Sequence, residues 1–159
     1  MKEILEVLEK NARLTSAQIG AMVGMDVAEV EEKIAEAERA GIIHGYRTLI
    51  DWDKTGRELC QARIEIKVTP KSGKGFEEIA GQIAEFEEVE TVYLMSGSYD
   101  IALTISGRSF KDIALFGAPR LAPMDSVEST STLFVLRKYK ERGFILQGET
   151  SDEREAVTP

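Results

Sequence analysis

The sequence predicts an α+β protein, with an N-terminal helix-turn-helix head followed by a C-terminal βαββαβ ferredoxin-like sandwich. Two observations predict this fold. Apolar residues recur at helical spacing up to about residue 50, whereas after residue 58 they alternate with polar residues, as in half-buried strands. With 159 residues, 43% hydrophobic and 30% charged, the chain has the composition of one or two small globular domains.

Three helices are predicted in the head, and local signals mark where two of them begin. Thr15 followed by Gln18 is typical of a capping box at the start of a helix, and Gly24 ends that helix. Asp26 followed by Glu29 repeats the start signal. Two helices joined by a tight turn that contains glycine form a helix-turn-helix. The expected ranges are about 2 to 11, 16 to 23 and 27 to 40.

The third helix is predicted to expose an acidic face. At about 100° per residue, the stripe expected to pack inward comprises Val27, Val30, Ile34, Ala37 and Gly41. The outward positions are Ala28, Glu32, Ala35, Glu36 and Arg39. In a DNA-reading helix such positions approach phosphates and base edges, where basic side chains supply most of the non-specific affinity. Because two of the five outward residues are Glu, we expect the intrinsic DNA affinity to be weak.

The head is also the most negative folded part of the chain. Residues 1 to 56 hold seven basic and eleven acidic residues, which gives a net charge of −4. Residues 57 to 148 have a net charge of −1 and residues 149 to 159 a net charge of −3, within a total of −8. The acidity is therefore not confined to a solubilising C-terminal segment.

The composition excludes several classes of site. Cys60 is the single cysteine, so the chain has no intrachain disulfide and no multi-cysteine metal site, and His44 is the single histidine. We interpret Cys60 as a packing residue and His44 as a turn residue. No nucleophile lies beside a base at motif spacing, and no Gly-rich phosphate loop is present, so we expect no enzyme, no cofactor and no metal.

Nothing in the sequence predicts a membrane protein. The apolar runs are shorter than a membrane span, and MKEILEVLEK at the N-terminus alternates charges where a signal peptide has an apolar block. We therefore expect a cytoplasmic protein without a membrane partner.

The second half is predicted to have the order β-α-β-β-α-β, with both helices on one face of the sheet. Ala62 to Val68 alternate between apolar and charged residues. Ser109 can cap the second helix of this half, and Pro119 and Pro123 end it. The other elements are a loop at 70 to 75, a helix at 76 to 86, a strand at 89 to 95, a hairpin turn at 96 to 98, a strand at 101 to 105 and a last strand at 127 to 139. The domains are expected at 1–50 (head), 51–58 (linker), 59–147 (ferredoxin-like domain) and 148–159 (disordered acidic tail).

The turn between the second and third strands has the chemistry to bind a zwitterion. Gly97 allows consecutive backbone N–H groups to approach a carboxylate, and Asp100 can pair with an ammonium group. The alternative is that Gly97 serves only the hairpin and that Asp100 caps a strand end. Thr130 and Thr132 lie on one side of the last strand and could add hydroxyls, although β-propensity explains them equally well. The candidate effector residues are Ser96, Gly97, Ser98, Tyr99, Asp100, Thr130 and Thr132.

Basic residues on the head are few. Arg13 precedes the second helix and Arg47 follows the helical unit, so both could contact phosphates flanking a groove, with solvation as the alternative. The candidate DNA-binding residues are Arg13, Thr15, Ala28, Lys33, Arg39 and Arg47. The most basic run of the chain lies in the second half and comprises Arg137, Lys138, Lys140 and Arg142. This run either offsets the acidic head or protects the end of an exposed strand.

Three motifs, in this order and on these elements, resemble the Lrp/AsnC family of transcription regulators, the feast/famine proteins. They are AGIIHGY at 40 to 46, SGSYD at 96 to 100 and STSTLFVLRKYKERG at 129 to 143. The resemblance covers residues 1 to about 147. It implies a head that binds double-stranded DNA and a domain at 59–147 that senses an amino-acid effector. It also implies a homodimer or a higher even-numbered ring, with the effector bound between dimers. Family members tend to carry Arg or Lys in the middle of the third helix, where this chain keeps Lys33.

Two functions follow as hypotheses. The first is an amino-acid-responsive transcription regulator of the Lrp/AsnC type, in which two heads on one duplex compensate for a weak single head. The second is an amino-acid-sensing or assembly module whose acidic head does not bind DNA alone and contacts a basic protein partner. A salt series of DNA binding distinguishes the two. In both, the sheet face opposite the helices, with Leu133 and Val135 or their neighbours, needs a partner, so we expect at least a homodimer.

Overall fold

The computed structural model describes residues 1–57, 59–69, 75–124 and 126–146, apart from the side chain of Ala118. The chain divides into two compact units, one formed by Met1–Ile50 and the other beginning at Asp51. No helix among the described residues is long and apolar enough to span a bilayer. Residues 70–74 of the expected loop at 70–75, and the expected acidic tail at 148–159, lie outside the described residues.

The first unit contains the three helices that the sequence predicts. Their apolar stripes converge on a small core in which Ile4, Leu8, Ile19 and Val30 are buried. A core of this size stabilises a unit of about fifty residues only modestly. The helices are α1 (Lys2–Lys10), α2 (Ser16–Val23) and α3 (Val27–Arg39).

The predicted ends of α2 and α3 are confirmed by their capping hydrogen bonds. Thr15 Oγ1 accepts from the backbone N–H of Gln18, and the Gln18 side chain accepts from the backbone N–H of Thr15. The Asp26 side chain accepts from the N–H of Glu29 at 2.8 Å. Gly24 ends α2 with a φ of 71°, a left-handed conformation that glycine adopts at little cost.

Gly20 makes the connection between α2 and α3 tight, although no pattern in the sequence marks it. The residue is buried, and a Cβ built on it would lie 2.6 Å from the carbonyl oxygen of Met25. The N–H of Met25 in turn donates to the carbonyl of Gly20 at 3.0 Å. A side chain at position 20 would therefore push the start of α3 away from α2.

The buried stripe of α3 is shorter than predicted. Val30 and Ala37 are buried and Ile34 is partly buried, whereas Val27 is 44% exposed and Gly41 is exposed. Val27 is the first residue of the helix and lies beyond the part that packs on the core. Gly41 has a φ of 67° and follows the end of the helix, so it serves as a terminator rather than as a packing residue.

The predicted linker contains a short 3₁₀ turn at Trp52–Thr55, which ends at Gly56 with a φ of 72°. The hydroxyl of Thr55 donates to the carbonyl of Trp52, and the guanidinium of Arg57 lies 4.5 Å from the centre of the Trp52 ring. Glu58, the last residue of the expected linker, lies outside the described residues.

The second unit is a four-stranded antiparallel sheet with two helices, in the predicted order β-α-β-β-α-β. Its elements are β1 (Cys60–Val68), α4 (Phe76–Ala84), β2 (Val89–Leu94), β3 (Ile101–Gly107), α5 (Phe110–Phe116) and β4 (Val127–Val135). The strand order across the sheet is β2-β3-β1-β4, so β1 pairs with both β3 and β4. This arrangement confirms the ferredoxin-like fold.

The core of the second unit lies on the helix side of the sheet. Along β1, the buried residues Ala62, Ile64, Ile66 and Val68 alternate with more exposed ones, as the period of two predicts. Buried residues from the other elements complete this core: Ile79, Ile83, Ile101, Leu103, Ile105, Ile113, Phe116 and Leu121. The opposite side of β1 carries Arg63, Glu65 and Lys67, so this face of the sheet is polar along its centre.

The second predicted helix of this unit, between β3 and β4, changes from α-helical to π-helical geometry partway along its length. Ser109 caps α5 as predicted, because its Oγ accepts from the N–H of Asp112. The α-helix ends at Phe116 and continues as a π-helical turn at Gly117–Leu121. Pro119 lies in this turn and cannot donate the backbone hydrogen bond that a regular helix requires.

The predicted last strand is too long. β4 ends at Val135 rather than at 139, because the last pair of its ladder joins Val135 to Gln61 near the beginning of β1. A separate two-stranded hairpin follows, which the sequence pattern did not predict. It consists of β5 (Lys140–Glu141) and β6 (Phe144–Ile145).

Candidate DNA-binding and effector sites

The outward face of α3 is exposed and acidic, as predicted. Ala28, Glu32, Glu36 and Arg39 are exposed, and Ala35 is partly exposed. Within the described residues, Glu32 and Glu36 form no ion pair with a cation. Two carboxylates that no described cation neutralises therefore face any molecule that approaches this side of the helix.

Lys33, the basic residue that the family resemblance retains, is engaged within α3. Its Nζ lies 3.5 Å from Oε1 of Glu29, and its side chain is 29% exposed. Because neighbouring residues on a helix differ by about 100°, Lys33 stands beside the face of Glu32 and Glu36 rather than on it. A phosphate contact by Lys33 would compete with its ion pair to Glu29.

The candidate arginines lie outside the central part of α3. Arg13 precedes α2, Arg39 lies in the last turn of α3 and Arg47 follows the helical unit, and all three are exposed. None of them forms an ion pair with another described residue. The hydroxyl of Thr15, in contrast, serves the helix cap and also donates to Oε1 of Gln18 at 3.2 Å. Three guanidinium groups thus remain available to phosphates.

Tyr46, in the AGIIHGY motif, ties the segment after α3 back to that helix. Its hydroxyl donates to Oε1 of Glu38 at 3.0 Å. Desolvation, this hydrogen bond and the negative charge of Glu38 raise the pKa of Tyr46 above its ordinary value. The hydrogen bond joins residues eight apart in the chain and needs a side-chain hydroxyl at position 46, which gives a physical reason for a tyrosine there.

Asp100 holds the ends of two strands together and is not a free carboxylate. Its side chain accepts from the N–H of Val68 at 2.8 Å and from Nζ of Lys67 at 3.3 Å. Its backbone N–H donates to the carbonyl of Ile66, and its carbonyl accepts from the N–H of Met95. The hydrogen bond from Val68 holds the pKa of Asp100 below its ordinary value. Partial desolvation acts in the opposite direction, and Lys67 lowers the pKa further through its hydrogen bond and its charge. Asp100 therefore caps the end of β1, as the alternative to a ligand-binding role predicts.

Gly97 lies in an exposed turn in which neither the backbone conformation nor the packing of the described residues requires a glycine. Its φ is outside the left-handed region, and a Cβ built on it would meet no described atom within 4 Å. Ser96 and Ser98 beside it are exposed as well, and Tyr99 is partly buried. The turn is the connection between β2 and β3, as predicted. A glycine in open space leaves room for another molecule to approach the backbone closely.

Thr130 and Thr132 lie on the same side of β4, as predicted, but β1 separates them from this turn. They pair across the β1–β4 ladder with Ile66 and Ile64, whose side chains are buried on the helix side. Ile66 pairs on its other side with Ile101, the first residue of β3. Thr130 and the start of β3 are therefore two strand spacings apart, about 10 Å. In a single chain the seven candidate effector residues do not form one compact pocket.

A groove of about 440 Å³ lies at the other end of β3, between that strand and α5. Arg120 crosses it, with Nη1 2.7 Å from Oε1 of Glu88 and the guanidinium 5.5 Å from the ring centres of Phe86 and Phe116. The sequence does not predict the groove, because Glu88 and Arg120 are 32 residues apart and only the fold brings them together.

Within the described residues, no three His, Cys, Asp or Glu side chains converge as metal ligands would. Cys60 is a free thiol that packs, partly buried, against the core of the second unit. His44 is exposed in the segment after α3. The position of Cys60 fits the packing role expected for it, whereas His44 lies beyond the turn at residue 41, in a segment without regular secondary structure.

Two family models match this chain. The Lrp/AsnC ligand binding domain matches residues 61–145, and a winged helix-turn-helix DNA-binding model matches residues 1–44. The HTH-type transcriptional regulator YugG of Bacillus subtilis is 45% identical over 158 residues, which cover 99% of this chain and 95% of YugG. The regulatory protein AsnC of Haemophilus influenzae is 27% identical over 136 residues, 86% of this chain and 89% of that protein.

Solved structures give the same result for the fold. The structure of Escherichia coli AsnC matches with a TM-score of 0.66 and 26% identity, over 90% of this chain and 94% of AsnC. A transcriptional regulator from Neisseria meningitidis, solved in complex with L-methionine, matches with a TM-score of 0.69 and 24% identity, over 87% and 89% of the two chains. Both similarities extend over most of the chain.

Proposed function

Because the chain belongs to the Lrp/AsnC family of transcriptional regulators, we propose that it controls transcription by binding double-stranded DNA through α2 and α3. The observation that carries this proposal is the complete helix-turn-helix. Thr15 and Asp26 cap its helices, Gly20 allows their close approach, and the outward face of α3 is exposed. The curated relatives are regulators, so we assign the chain to regulators rather than enzymes and place it in the cytoplasm, without a cofactor.

The arrangement of charge determines how the head would bind. Arg13, Arg39 and Arg47 are exposed in the same unit as the acidic face of α3, so they would contact phosphates while Glu32 and Glu36 oppose close approach. One head would therefore bind weakly. A second head in the same assembly binds at a high effective concentration once the first is bound, which raises the overall affinity without new contacts.

Replacement of the flanking arginines tests this mode of binding. In a chain that carries Arg13→Gln and Arg47→Gln, we expect weaker DNA binding. The slope of log affinity against log salt concentration should become less negative by about 0.9 for each phosphate that is no longer paired with a cation. Fluorescence anisotropy with duplex DNA over a salt series measures both quantities. If the double variant binds like the wild type, the head does not meet DNA in this way. The rival role, in which the acidic head contacts a basic protein, would then be favoured.

A second copy of the chain would cover the sheet face opposite the helices. On this face Leu133 is 47% exposed and Tyr93 57% exposed, and Val135 is partly exposed. Between them, Arg63 and Glu65 form an ion pair at 3.1 Å, so the centre of the face carries paired charges. Exposed apolar side chains around paired charges suit a contact between identical surfaces. We propose a homodimer, or a higher even-numbered ring built from it.

The effector site we propose is the turn at 96–100, completed by β4 of another copy. Backbone N–H groups beside Gly97 would bind the carboxylate of an amino acid, and Asp100 would bind its ammonium group in competition with Lys67. Because β1 lies between the turn and Thr130 or Thr132 of the same chain, the threonines would reach the ligand across an interface between copies.

Thermal shifts with a panel of amino acids test the effector site. At a hundredfold excess over its dissociation constant, a ligand that binds only the folded state stabilises it by about 2.7 kcal/mol. Gly97→Val would fill the space beside the turn and abolish the shift. Thr69→Val, on an exposed side chain bonded to Glu128, serves as a control that retains it. If no amino acid shifts the wild type, the turn is only a hairpin connection.

A further inference from the structure

The β5–β6 hairpin concentrates positive charge on an otherwise acidic chain. Residues 136–146 contain four basic residues and one acidic residue, whereas residues 1–50 contain six basic and nine acidic residues. Lys138 is neutralised by Glu141 at 3.3 Å. Arg137, Lys140 and Arg142 are exposed and have no ion-pair partner among the described residues. The hairpin and the residues just before it therefore present three cations that no described residue neutralises.

The tip of the hairpin holds an arginine in a conformation that arginine disfavours. Arg142 has a φ of 45° and Gly143 a φ of 89°. Two central residues with positive φ are typical of the type I′ turn that joins strands through two residues. Asn, Asp or Gly occupies the first of these positions at a lower conformational cost than Arg. A charged residue kept in this conformation at an exposed tip suggests a role outside the fold.

Protection of a strand edge suits Arg137 and Lys138, which follow the edge strand β4, but it does not explain Arg142. Charges that block edge-to-edge pairing act along an exposed strand, whereas β5 and β6 have two residues each and Arg142 lies in the turn between them. The guanidinium of Arg137 lies 5.7 Å from the centre of the Tyr139 ring, which holds this cation close to the hairpin. The three unpaired cations therefore lie within six consecutive residues, 137–142, at and just before the hairpin.

We propose that the β5–β6 hairpin is a second DNA-contacting surface, at which Arg137, Lys140 and Arg142 pair with backbone phosphates. The proposal rests on the DNA-binding function proposed above and extends it to the second unit. Phosphate neutralisation that the acidic face of α3 cannot supply would come from this hairpin. Cations on a small exposed turn recognise the charge of the duplex rather than its base sequence, so the contribution is independent of sequence.

Two double variants of the full chain, each of which removes two positive charges, test the proposal. The first combines Lys140→Gln with Arg142→Gly, which removes two cations and keeps a residue suited to positive φ at the tip. The matched control combines Arg108→Gln with Lys111→Gln, two exposed cations of the same unit. Affinity for linear duplex DNA of mixed sequence is measured from about 50 to about 200 mM salt. Light scattering and thermal melting establish the mass and folding of each protein.

We expect the hairpin variant to keep the mass and melting temperature of the wild type. The slope of log affinity against log salt concentration should become less negative by about 0.9 for each phosphate that the variant leaves unpaired, and the control should keep the wild-type slope. A hairpin variant with the slope of the control overturns the proposal. A change of slope that accompanies loss of assembly also overturns it, since the hairpin would then be a contact between copies. If Arg13→Gln with Arg47→Gln weakens binding and the hairpin variant does not, only the hairpin proposal fails. If the wild type does not bind, both proposals fail.

Discussion

Single residues position the elements in both units, and they do so through contacts that no periodicity reveals. Asp100 joins the start of β3 to the end of β1 through Val68 and Lys67. Gly20 lets α2 approach the residues that lead into α3. The pattern of apolar residues reports which face of an element is buried, but not which distant atom a side chain reaches. For this reason SGSYD could be picked out from the sequence, whereas the engagement of Asp100 with Lys67 could not.

The hydrogen bonds of Asp100 predict a pH dependence of stability. Because its pKa is lowered in the folded state, the carboxylate stabilises the fold above its unfolded pKa of about 3.9, and this contribution is lost as the pH falls through the folded pKa. Urea unfolding should therefore show the wild type to be more stable than Asp100→Asn at pH 7. The difference should shrink below about pH 4. A difference that stays constant from pH 7 to pH 3 would contradict the assignment.

The close approach at Gly20 predicts a cost for the smallest side chain. Gly20→Ala places a Cβ against the carbonyl of Met25, so we expect it to lower the free energy of unfolding by about 1 to 3 kcal/mol. Gly81→Ala is the control, because that exposed helical glycine has open space around it. This substitution should raise the free energy of unfolding by about 0.5 to 1 kcal/mol. Denaturant unfolding followed by circular dichroism compares them. Equal stability of Gly20→Ala and the wild type would contradict the close contact.

At the scale of elements, the helices of the head follow from the sequence more closely than the last strand. Helix ends depend on local caps such as Thr15 and Gly24, which the sequence displays directly. A strand ends where its partner ends, so the end of β4 at Val135 depends on β1 and is not encoded locally. The β5–β6 hairpin escapes prediction because its turn is Arg142-Gly143 rather than the familiar Asn-Gly or Asp-Gly.

The acidic face of α3 predicts a gain of affinity on charge reversal. If Glu32 and Glu36 face DNA, changing both to Lys converts repulsion into phosphate pairing, so non-specific affinity and the steepness of the salt dependence should both rise. Changing Glu3 and Glu9 to Lys alters the net charge equally on the exposed side of α1 and serves as the control. Anisotropy titrations that give the same slope for both double variants would show that this face of α3 does not meet DNA.

At the scale of the whole molecule, a single chain leaves two features incomplete. One is the sheet face that bears Tyr93 and Leu133. The other is the proposed effector site, whose turn and threonines lie on either side of β1. The sequence identified the candidate residues through motifs and resemblance. Their separation depends on strand order, which a motif does not contain. A second copy of the chain would complete both features.

The exposed sheet face predicts self-association. Light scattering at micromolar concentration should give a mass of at least twice the 17.6 kDa of one chain. Leu133→Asp places a charge in the proposed interface and should lower this mass, since an unpaired charge is costly to bury. Leu115→Asp alters an equally exposed leucine on α5 and should leave the mass unchanged. A monomeric wild type would rule out the proposed homodimer.

The central claim is that this acidic chain binds duplex DNA, and equilibrium binding of the wild-type chain over a salt series tests it most directly. We predict measurable binding at about 50 mM salt and a logarithm of the affinity that falls linearly with the logarithm of the salt concentration, with a slope of about −0.9 per phosphate contact. Absence of binding at about 50 mM salt would contradict the claim, because electrostatic attraction to DNA is strongest at low ionic strength.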